Sequence, residues 1–390
     1  RAGDYIIGAA TAADVEAIID VIDGNAPSLT ESEPLGQVAA ELPAPALAFT
    51  YIDGQAILDS LDPEMVASIE AMQPGYSLSD MGSYAGLTVT AVDEGFRVDS
   101  YSIAAEGADL SKVVIPNNPA TVAAAAHVPA DAFVYTAGTL PEGAFSGAAF
   151  SLSQVVNAVE TGEEPANALP TAAEVEAEIA QATETLGFNP AADLFDLLGP
   201  DYIFFSSFPS FMGDFSFNAV GAVSTSDAAT LAETMGKVAA IIEREGGEDV
   251  AVTTRDMDGD TVYSLGDPND ESMPTVDFGV VGDQAVAGVG TGLAQLSATP
   301  ANALADDPQY QEIMGVLPAD YSMVVYLDAR PMTRLAALFS GGFSEGSATA
   351  TPVAPTGSVE NLLGFGAVAF SDSDTTMSGS AILYIADPAS

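Results

Sequence analysis

Apolar residues recur along the chain with two periods, and these periods predict strands that alternate with amphipathic helices. Three apolar runs, which carry Tyr51, Tyr135 and Tyr326, each follow a short proline motif. The motifs are Leu42-Pro43-Ala44, Val128-Pro129-Ala130-Asp131 and Leu317-Pro318-Ala319-Asp320. Proline has a fixed φ angle and no N–H to donate, so it belongs just before a strand. The pattern therefore predicts three strands that each begin after a proline turn.

Helical segments have clear start and stop signals. Thr171-Ala172-Ala173-Glu174 is a capping box that opens a helix, and Gly187 is suited to end it. Thr11 to Asp14 has the same form and predicts a helix over Val15 to Ile22. The longest helix is predicted from Asp227 to Glu245, where apolar residues fall on one stripe.

Turn residues between apolar runs predict antiparallel hairpins. The predicted pairs are Leu87 to Val92 with Phe96 to Ile103, Val250 to Arg255 with Thr261 to Leu265, and Thr275 to Val281 with the strand after Gly282-Asp283. The predicted fold class is α+β, with internally repeated antiparallel sheets and amphipathic helices packed on them.

The first hundred residues resemble the last hundred. Gly3-Asp4 aligns with Gly282-Asp283, and Leu42-Pro43-Ala44 aligns with Leu317-Pro318-Ala319. Such repetition indicates that one supersecondary unit is used more than once, so we expect residues 3–105 and 282–386 to share a local fold. The predicted organisation is a partial repeat over 1–106, a linker over 107–127 and a larger repeat domain over 128–390, with 340–358 as a low-complexity loop.

The charge of the chain excludes some classes of partner. With 56 acidic and 8 basic residues the formal net charge is -48, and such a surface repels nucleic acids and anionic membranes. Repulsion among carboxylates favours a saline or calcium-containing exterior, where ions screen them. The alternative is that the acidic residues serve solubility alone.

Several features concern location and assembly. The chain has no cysteine, and no apolar run approaches the roughly 18 residues that span a bilayer. Arg1 aligns with the interior of a repeat and does not open a signal peptide, so we expect an export segment upstream.

The predicted strand Tyr5 to Ala9 then lacks a partner. We expect an upstream segment, the third unit of the chain or a neighbouring subunit to complete it, and the last case gives a homo-oligomer or polymer.

One acidic cluster is a candidate calcium site. Asp256, Asp258 and Asp260 alternate around Gly259, and Asp267, Asp270 and Glu271 follow. Carboxylates in a turn can wrap a hard cation, although the spacing departs from the EF-hand loop. A hairpin turn with solvated acidic residues is the alternative.

Two other candidates for chemistry are weaker. The segment Gly288-Val289-Gly290-Thr291-Gly292 precedes a predicted helix, but its spacing departs from the dinucleotide fingerprint and no lysine stands near it. His127 is the single histidine and precedes a proline-led strand, where a structural role is the default. Neither feature predicts catalysis.

The Leu-Pro-Ala-Asp motifs, the strands that follow Leu197-Leu198-Gly199 and Leu362-Leu363-Gly364, and the segment Val280 to Leu296 carry a resemblance. Together they resemble a family of uncharacterised secreted or lipid-anchored bacterial envelope proteins that is defined as a domain of unknown function. The resemblance covers most of residues 128–390 and part of 1–105. It implies export.

The sequence therefore predicts a non-catalytic extracellular or cell-surface protein, structural or adhesive, that self-assembles into a surface layer, sheath or filament. The alternative is an envelope binding module that holds an apolar or small ligand between curved sheets. The alternative rests on the aromatic residues Phe204, Phe205, Phe208, Phe211, Phe215 and Phe217. Core packing is the competing explanation for these residues.

Overall fold

The computed structural model describes residues 11–72, 77–110, 114–141, 144–161, 170–210, 216–247, 250–266, 274–331, 362–373 and 375–385. Its central feature is one sheet of 13 strands in which all neighbours are antiparallel. The strands are β1 (Ala48–Asp53), β2 (Ser83–Val92), β3 (Gly95–Ala104), β4 (Ala132–Thr139), β5 (Leu198–Ser210), β6 (Ser216–Thr225), β7 (Ala251–Met257), β8 (Asp260–Gly266), β9 (Val276–Val281), β10 (Gln284–Val289), β11 (Met323–Asp328), β12 (Leu362–Ser373) and β13 (Thr376–Ile385). Their spatial order is β1-β2-β3-β13-β12-β11-β4-β5-β6-β10-β9-β8-β7.

Helices cover both faces of this sheet. They are α1 (Ala12–Ile22), α2 (Glu33–Glu41), α3 (Gly54–Ser60), α4 (Pro63–Met72), α5 (Pro119–Ala123), α6 (Ser146–Thr161), α7 (Ala172–Leu186), α8 (Ala228–Glu245), α9 (Gly292–Ser297) and α10 (Pro308–Met314). Helices α2, α9 and α10 approach one face over glycines of β2, β10 and β12. Helix α8 packs on the opposite face, where α4, α6 and α7 form one layer with it.

A row of paired residues marks the centre of the core. Tyr326 of β11 pairs with Tyr135 of β4, which pairs in turn with Phe205 of β5 and then Val220 of β6. All four side chains are at most 1% exposed. Because paired residues of an antiparallel sheet point to the same face, this row forms the floor on which the helices of one layer pack.

The structure confirms the mixed α+β class and the main sequence signals. The capping boxes at Thr11 and Thr171 are both formed, and Gly187 ends α7 in the left-handed conformation. The predicted hairpins are formed as β2–β3, β7–β8 and β9–β10. Each proline motif precedes a strand, namely β1, β4 or β11.

The predicted linker, residues 107–127, contains a short helix. The Asn118 side chain accepts a hydrogen bond from the Ala120 N–H at 3.0 Å, and Pro119 occupies the first helical position. Both features start a helix, and this local signal outweighs the loop-like composition. The predicted strand Tyr5 to Ala9 and the predicted loop 340–358 lie outside the described residues.

The two ends of the chain show the same order of elements where both are described. Helices α1 and α2 precede β1 and the β2–β3 hairpin, and helices α9 and α10 precede β11 and the β12–β13 hairpin. Tyr51 of β1 pairs with Gly86, and Tyr326 of β11 pairs with Gly366. No helix in the described ranges is long and apolar enough to cross a membrane.

We expect Gly366→Ala and Gly86→Ala to destabilise the protein by about 1–3 kcal/mol each, because overpacking costs that much. A Cβ at Gly366 would lie 2.6 Å from Ile313 Cγ2, and one at Gly86 would clash with Val38. Urea unfolding measures the change.

Gly36→Ala is the matched control, since it lies within α2 and a Cβ there meets nothing within 4 Å. Its helix propensity predicts a gain of about 0.5–1 kcal/mol. Equal stabilities of all three variants would contradict the close packing of helix on glycine.

Candidate functional site

The three predicted calcium ligands lie around the tight turn between β7 and β8. Asp258 has a φ of 56° and Gly259 a φ of 98°, as a two-residue hairpin turn requires. Asp256 Oδ1 accepts a hydrogen bond from the Gly259 N–H at 3.3 Å, and Asp260 Oδ2 accepts one from the Gly282 N–H at 2.7 Å. Two of the three carboxylates therefore stabilise backbone turns.

No group of three or more acidic or histidine side chains in the described ranges is arranged to hold a metal ion. Asp267, Asp270 and Glu271 lie outside those ranges. Calcium binding at this turn stays a prediction of the sequence.

The glycine segment before α9 packs against β6. A Cβ at Gly290 would lie 2.5 Å from Asn218 Oδ1, and one at Gly292 would clash with the Ala219 carbonyl. These glycines permit close approach of two backbones. Packing therefore explains the glycine motif, and a phosphate-binding role is not needed to explain it. His127 lies exposed at the end of a 3₁₀ turn directly before β4, in the structural position that was expected.

Three arginines hold buried aspartates. Arg97 contacts Asp99 at 2.8 Å. The hydroxyl of Ser380, on the neighbouring strand β13, donates a hydrogen bond to the same carboxylate. Arg330 contacts Asp328 at 2.7 Å. The arginine side chains are 33% and 43% exposed, whereas the aspartate side chains are only 9% and 11% exposed.

The third pair links two strands near the β7 end of the sheet. Arg255 of β7 contacts Asp277 of β9 at 2.5 Å, and the Ser264 hydroxyl donates to the other oxygen of Asp277. The Asp277 side chain is 1% exposed. A buried carboxylate is costly without such partners, so these arginines serve the stability of the sheet.

Sequence reasoning missed these three pairs. In two of them the partners are separated by one residue, as in Arg97-x-Asp99 within β3 and in Asp328-x-Arg330 at the end of β11. Within a strand that spacing places both side chains on the same face, so the first pair is a signal that the sequence offers. The contact between Arg255 and Asp277 depends on strand order, which local spacing does not contain.

A cluster of tyrosines lies under the centre of the sheet. Tyr310 of α10 packs edge-on against Tyr135 and Tyr326, with ring centroids 6.2 and 5.1 Å apart. Burial raises the pKa of Tyr135, Tyr310 and Tyr326 well above the usual value of 10. The Tyr135 hydroxyl has no hydrogen-bond partner among the described residues.

The predicted aromatic cluster divides between the two faces of β5. Phe205 is 1% exposed in the core, whereas Phe204 is 37% exposed on the other face. Phe208 stacks on Phe133 with centroids 4.4 Å apart and contacts Phe217. Phe211 and Phe215 lie outside the described residues.

An open pocket of about 400 Å³ lies beside the start of β4. Its lining includes Pro129, Asp131, Gln295 and Asn302. The Gln295 Oε1 atom is buried and has no hydrogen-bond partner among the described residues. This pocket has room for a small molecule.

Exposed apolar residues are concentrated in the N-terminal part of the described chain, which includes strand β1. Of the 17 large apolar residues that are exposed in the described chain, 10 lie between Ile18 and Met81. They include Leu47, Phe49 and Ile52, which are 66%, 45% and 46% exposed. Strand β1 has β2 on one side and, within the described ranges, no strand on the other. An edge of this kind is a template for pairing with another strand.

The opposite edge of the sheet differs in character. Strand β7 exposes Thr253, Thr254, Arg255 and Asp256 along its length. Charged residues on an edge strand oppose further pairing. Of the two ends, β1 is therefore the candidate interaction surface.

The chain matches the model of one protein family. That family is described as "Protein of unknown function (DUF3352)", and the match covers residues 2–352. No curated protein matches the sequence, and no solved structure matches it. The matched region covers nearly the whole chain and contains all three proline-led strands.

We expect alkaline solution to unfold the protein. The three buried tyrosines have a raised pKa in the folded state, so their contribution to stability is complete below pH 10 and is lost as the pH rises above it. Tyrosinate absorbance and circular dichroism, followed together from pH 8 to 13, measure this.

Ionisation of the buried tyrosines should coincide with the loss of secondary structure. Tyr310→Phe should shift this transition to higher pH, because it removes one of the ionisable groups. Tyr202→Phe, at a partly exposed tyrosine of β5, is the comparison. If all tyrosines ionise before any unfolding, the cluster is not buried as described.

Proposed function

The chain belongs to the DUF3352 family of proteins of unknown function, and we propose that it is a non-catalytic protein of the cell exterior with a structural or adhesive role. The observation that carries this proposal is the single sheet of 13 strands, which has an apolar end at β1. A long sheet with an open end suits a role in which the body of the protein makes contacts with neighbours.

Internal repetition is part of the proposal. Three units, each a proline-led strand followed by an antiparallel pair, comprise β1–β2–β3, β4–β5–β6 and β11–β12–β13. In the first unit Val38 and Leu42 pack on Gly86, and in the third Ile313 and Leu317 pack on Gly366. Equivalent helix-on-glycine contacts at equivalent registers support a common origin of these units.

The use of charge also supports a structural role. The basic side chains that the structure describes, namely Arg97, Lys237, Arg244, Arg255 and Arg330, all contact carboxylates. The surface that remains is strongly acidic, since the whole chain carries a net charge of -48. Such a surface keeps proteins apart at low salt and lets them approach at high salt, which favours the extracellular setting.

A second candidate function is the binding of a small ligand. The pocket of about 400 Å³ beside β4 has the volume of an ordinary ligand site. Its wall combines alanines and prolines with Asp131, Thr299 and Asn302, so it suits a small ligand that has both apolar and polar groups.

The location can be tested directly. In intact cells of the source organism, added protease should remove the protein while a cytosolic marker survives, and immunogold imaging should place it on the surface. Purified protein should turn over no substrate. Retention in the cytosolic fraction, or robust turnover that a point mutation in one cleft abolishes, would overturn the proposal.

We expect the melting temperature to rise with ionic strength, because screening weakens the repulsion among carboxylates. Thermal melts in 0.05 and 1 M NaCl, each with and without 5 mM CaCl₂, measure the effect. If calcium binds at the β7–β8 turn, the variant D256N/D258N/D260N should lose the calcium-specific increase and keep the response to NaCl. A melting temperature that is the same in all four conditions would show that the acidic surface is only solvated.

A further inference from the structure

The centre of the sheet shows how two proline-led strands pair. Strands β4 and β11 run antiparallel, with Tyr326 opposite Tyr135 and Leu327 opposite Val134. The other neighbour of β4 is β5, and that of β11 is β12. Each first strand of a unit thus uses one side for its own unit and the other side for the first strand of another unit.

Strand β1 is the counterpart of β11 and lacks that second neighbour. Phe49 of β1 is 45% exposed, whereas Val324, at the same position relative to the tyrosine, is 0% exposed. Val324 lies in the main core cluster, and β4 lies alongside it with Ala137 opposite. A strand added beside β1 would cover Phe49 in the same way.

The arrangement of the units argues against other strands of the same chain. By the alignment of the repeats, Tyr5 to Ala9 corresponds to Gln284 to Gly288 of β10. Strand β10 lies between β6 and β9, away from any proline-led strand. The other two first strands, β4 and β11, are already paired with each other. The chain has three such first strands, so β1 is left without a first strand of another unit beside it.

We infer that β1 pairs antiparallel with β1 of a second copy of this chain, on a two-fold axis beside Tyr51. The inference rests on the proposed repetition and names the partner of the β1 edge. If the two β1 strands pair in the same register as β4 and β11, where Tyr135 lies opposite Tyr326, Tyr51 lies opposite Tyr51 of the partner subunit. Phe49 then lies opposite Asp53 of the partner subunit.

This pairing gives a closed dimer rather than a polymer. A two-fold contact uses the same surface on both copies, so each β1 edge is consumed once. The ends that remain are the two β7 strands, whose exposed Arg255 and Asp256 oppose further addition. Because both copies are acidic, the dimer should be stronger at high ionic strength.

Cross-linking tests the register. The chain has no cysteine, so Tyr51→Cys introduces one thiol that meets its own copy on the two-fold axis. Opposed residues of an antiparallel pair have Cα atoms about 4.5–5.5 Å apart, within the range of a disulfide. Under mild oxidation we expect most of this variant to become a covalent dimer. The control Thr254→Cys, on the exposed β7 edge, should form no covalent dimer.

Charge at Phe49 tests the same register in solution. In 1 M NaCl, sedimentation velocity should give the unmodified chain twice its mass of 39.6 kDa. Phe49→Glu places a carboxylate opposite Asp53 of the partner subunit and should weaken dimerisation at least about tenfold. Phe49→Lys places a cation there and should retain the dimer, as should the control Thr254→Glu on β7.

A monomeric unmodified chain at 1 M NaCl and 100 µM would overturn the inference, whatever covers β1. So would equal cross-linking at positions 51 and 254, or equal dissociation by glutamate and lysine at position 49. Circular dichroism melts of every variant separate misfolding from dissociation. A folded monomer found on the cell surface would reject the dimer and leave the proposed function standing, and a dimer found in the cytosol would do the reverse.

Discussion

The antiparallel pairing of β4 with β11 is the interaction on which the rest of the structure depends. It joins the block β1-β2-β3-β13-β12-β11 to the block β4-β5-β6-β10-β9-β8-β7, so that all 13 strands form one sheet. Tyr135 and Tyr326 meet at this junction, and Tyr310 of α10 packs over both. The helices of that layer gain a continuous apolar floor because the junction leaves no gap between units.

A second constraint is the scarcity of positive charge. With 8 basic residues in the whole chain, each arginine that neutralises a buried carboxylate is unavailable for binding anions at the surface. The pairs at Asp99, Asp277 and Asp328 use three arginines to neutralise carboxylates that are buried in the sheet. The charged groups on the exterior are therefore mainly carboxylates, and the ionic strength of the solution determines how closely two molecules approach.

Local features of the fold could be predicted from the sequence because each depends on neighbouring residues. The capping boxes at Thr11 and Thr171 and the hairpin turn at Asp258-Gly259 need only a few adjacent side chains. The order of strands could not be predicted in this way. The pairing of β3 with β13 and of β4 with β11 depends on how whole units pack, and no local pattern encodes it.

The same limit applies to the candidate site. The apolar sequence of β1 could be recognised, but its position at the end of the sheet follows from the pairing of the other strands. The sequence predicted Tyr5 to Ala9 as the open edge, because an alignment within one chain compares similar segments and carries no information on which strands are adjacent. For the acidic turn, the spacing of Asp256 and Asp260 suggested a cation, whereas the backbone N–H groups that they bind became visible only in three dimensions.

The pairing of β3 with β13 has a consequence for the time course of folding. Arg97 of β3 lies opposite Ile382 of β13. Strand β3 is synthesised early, and it cannot form this pairing until β13, the last strand, has been synthesised. Contacts between such distant parts of a chain make folding slow. Until synthesis ends, the first hairpin has β1 beside β2 but lacks β13 beside β3, and a molecular chaperone would protect this open edge from mispairing.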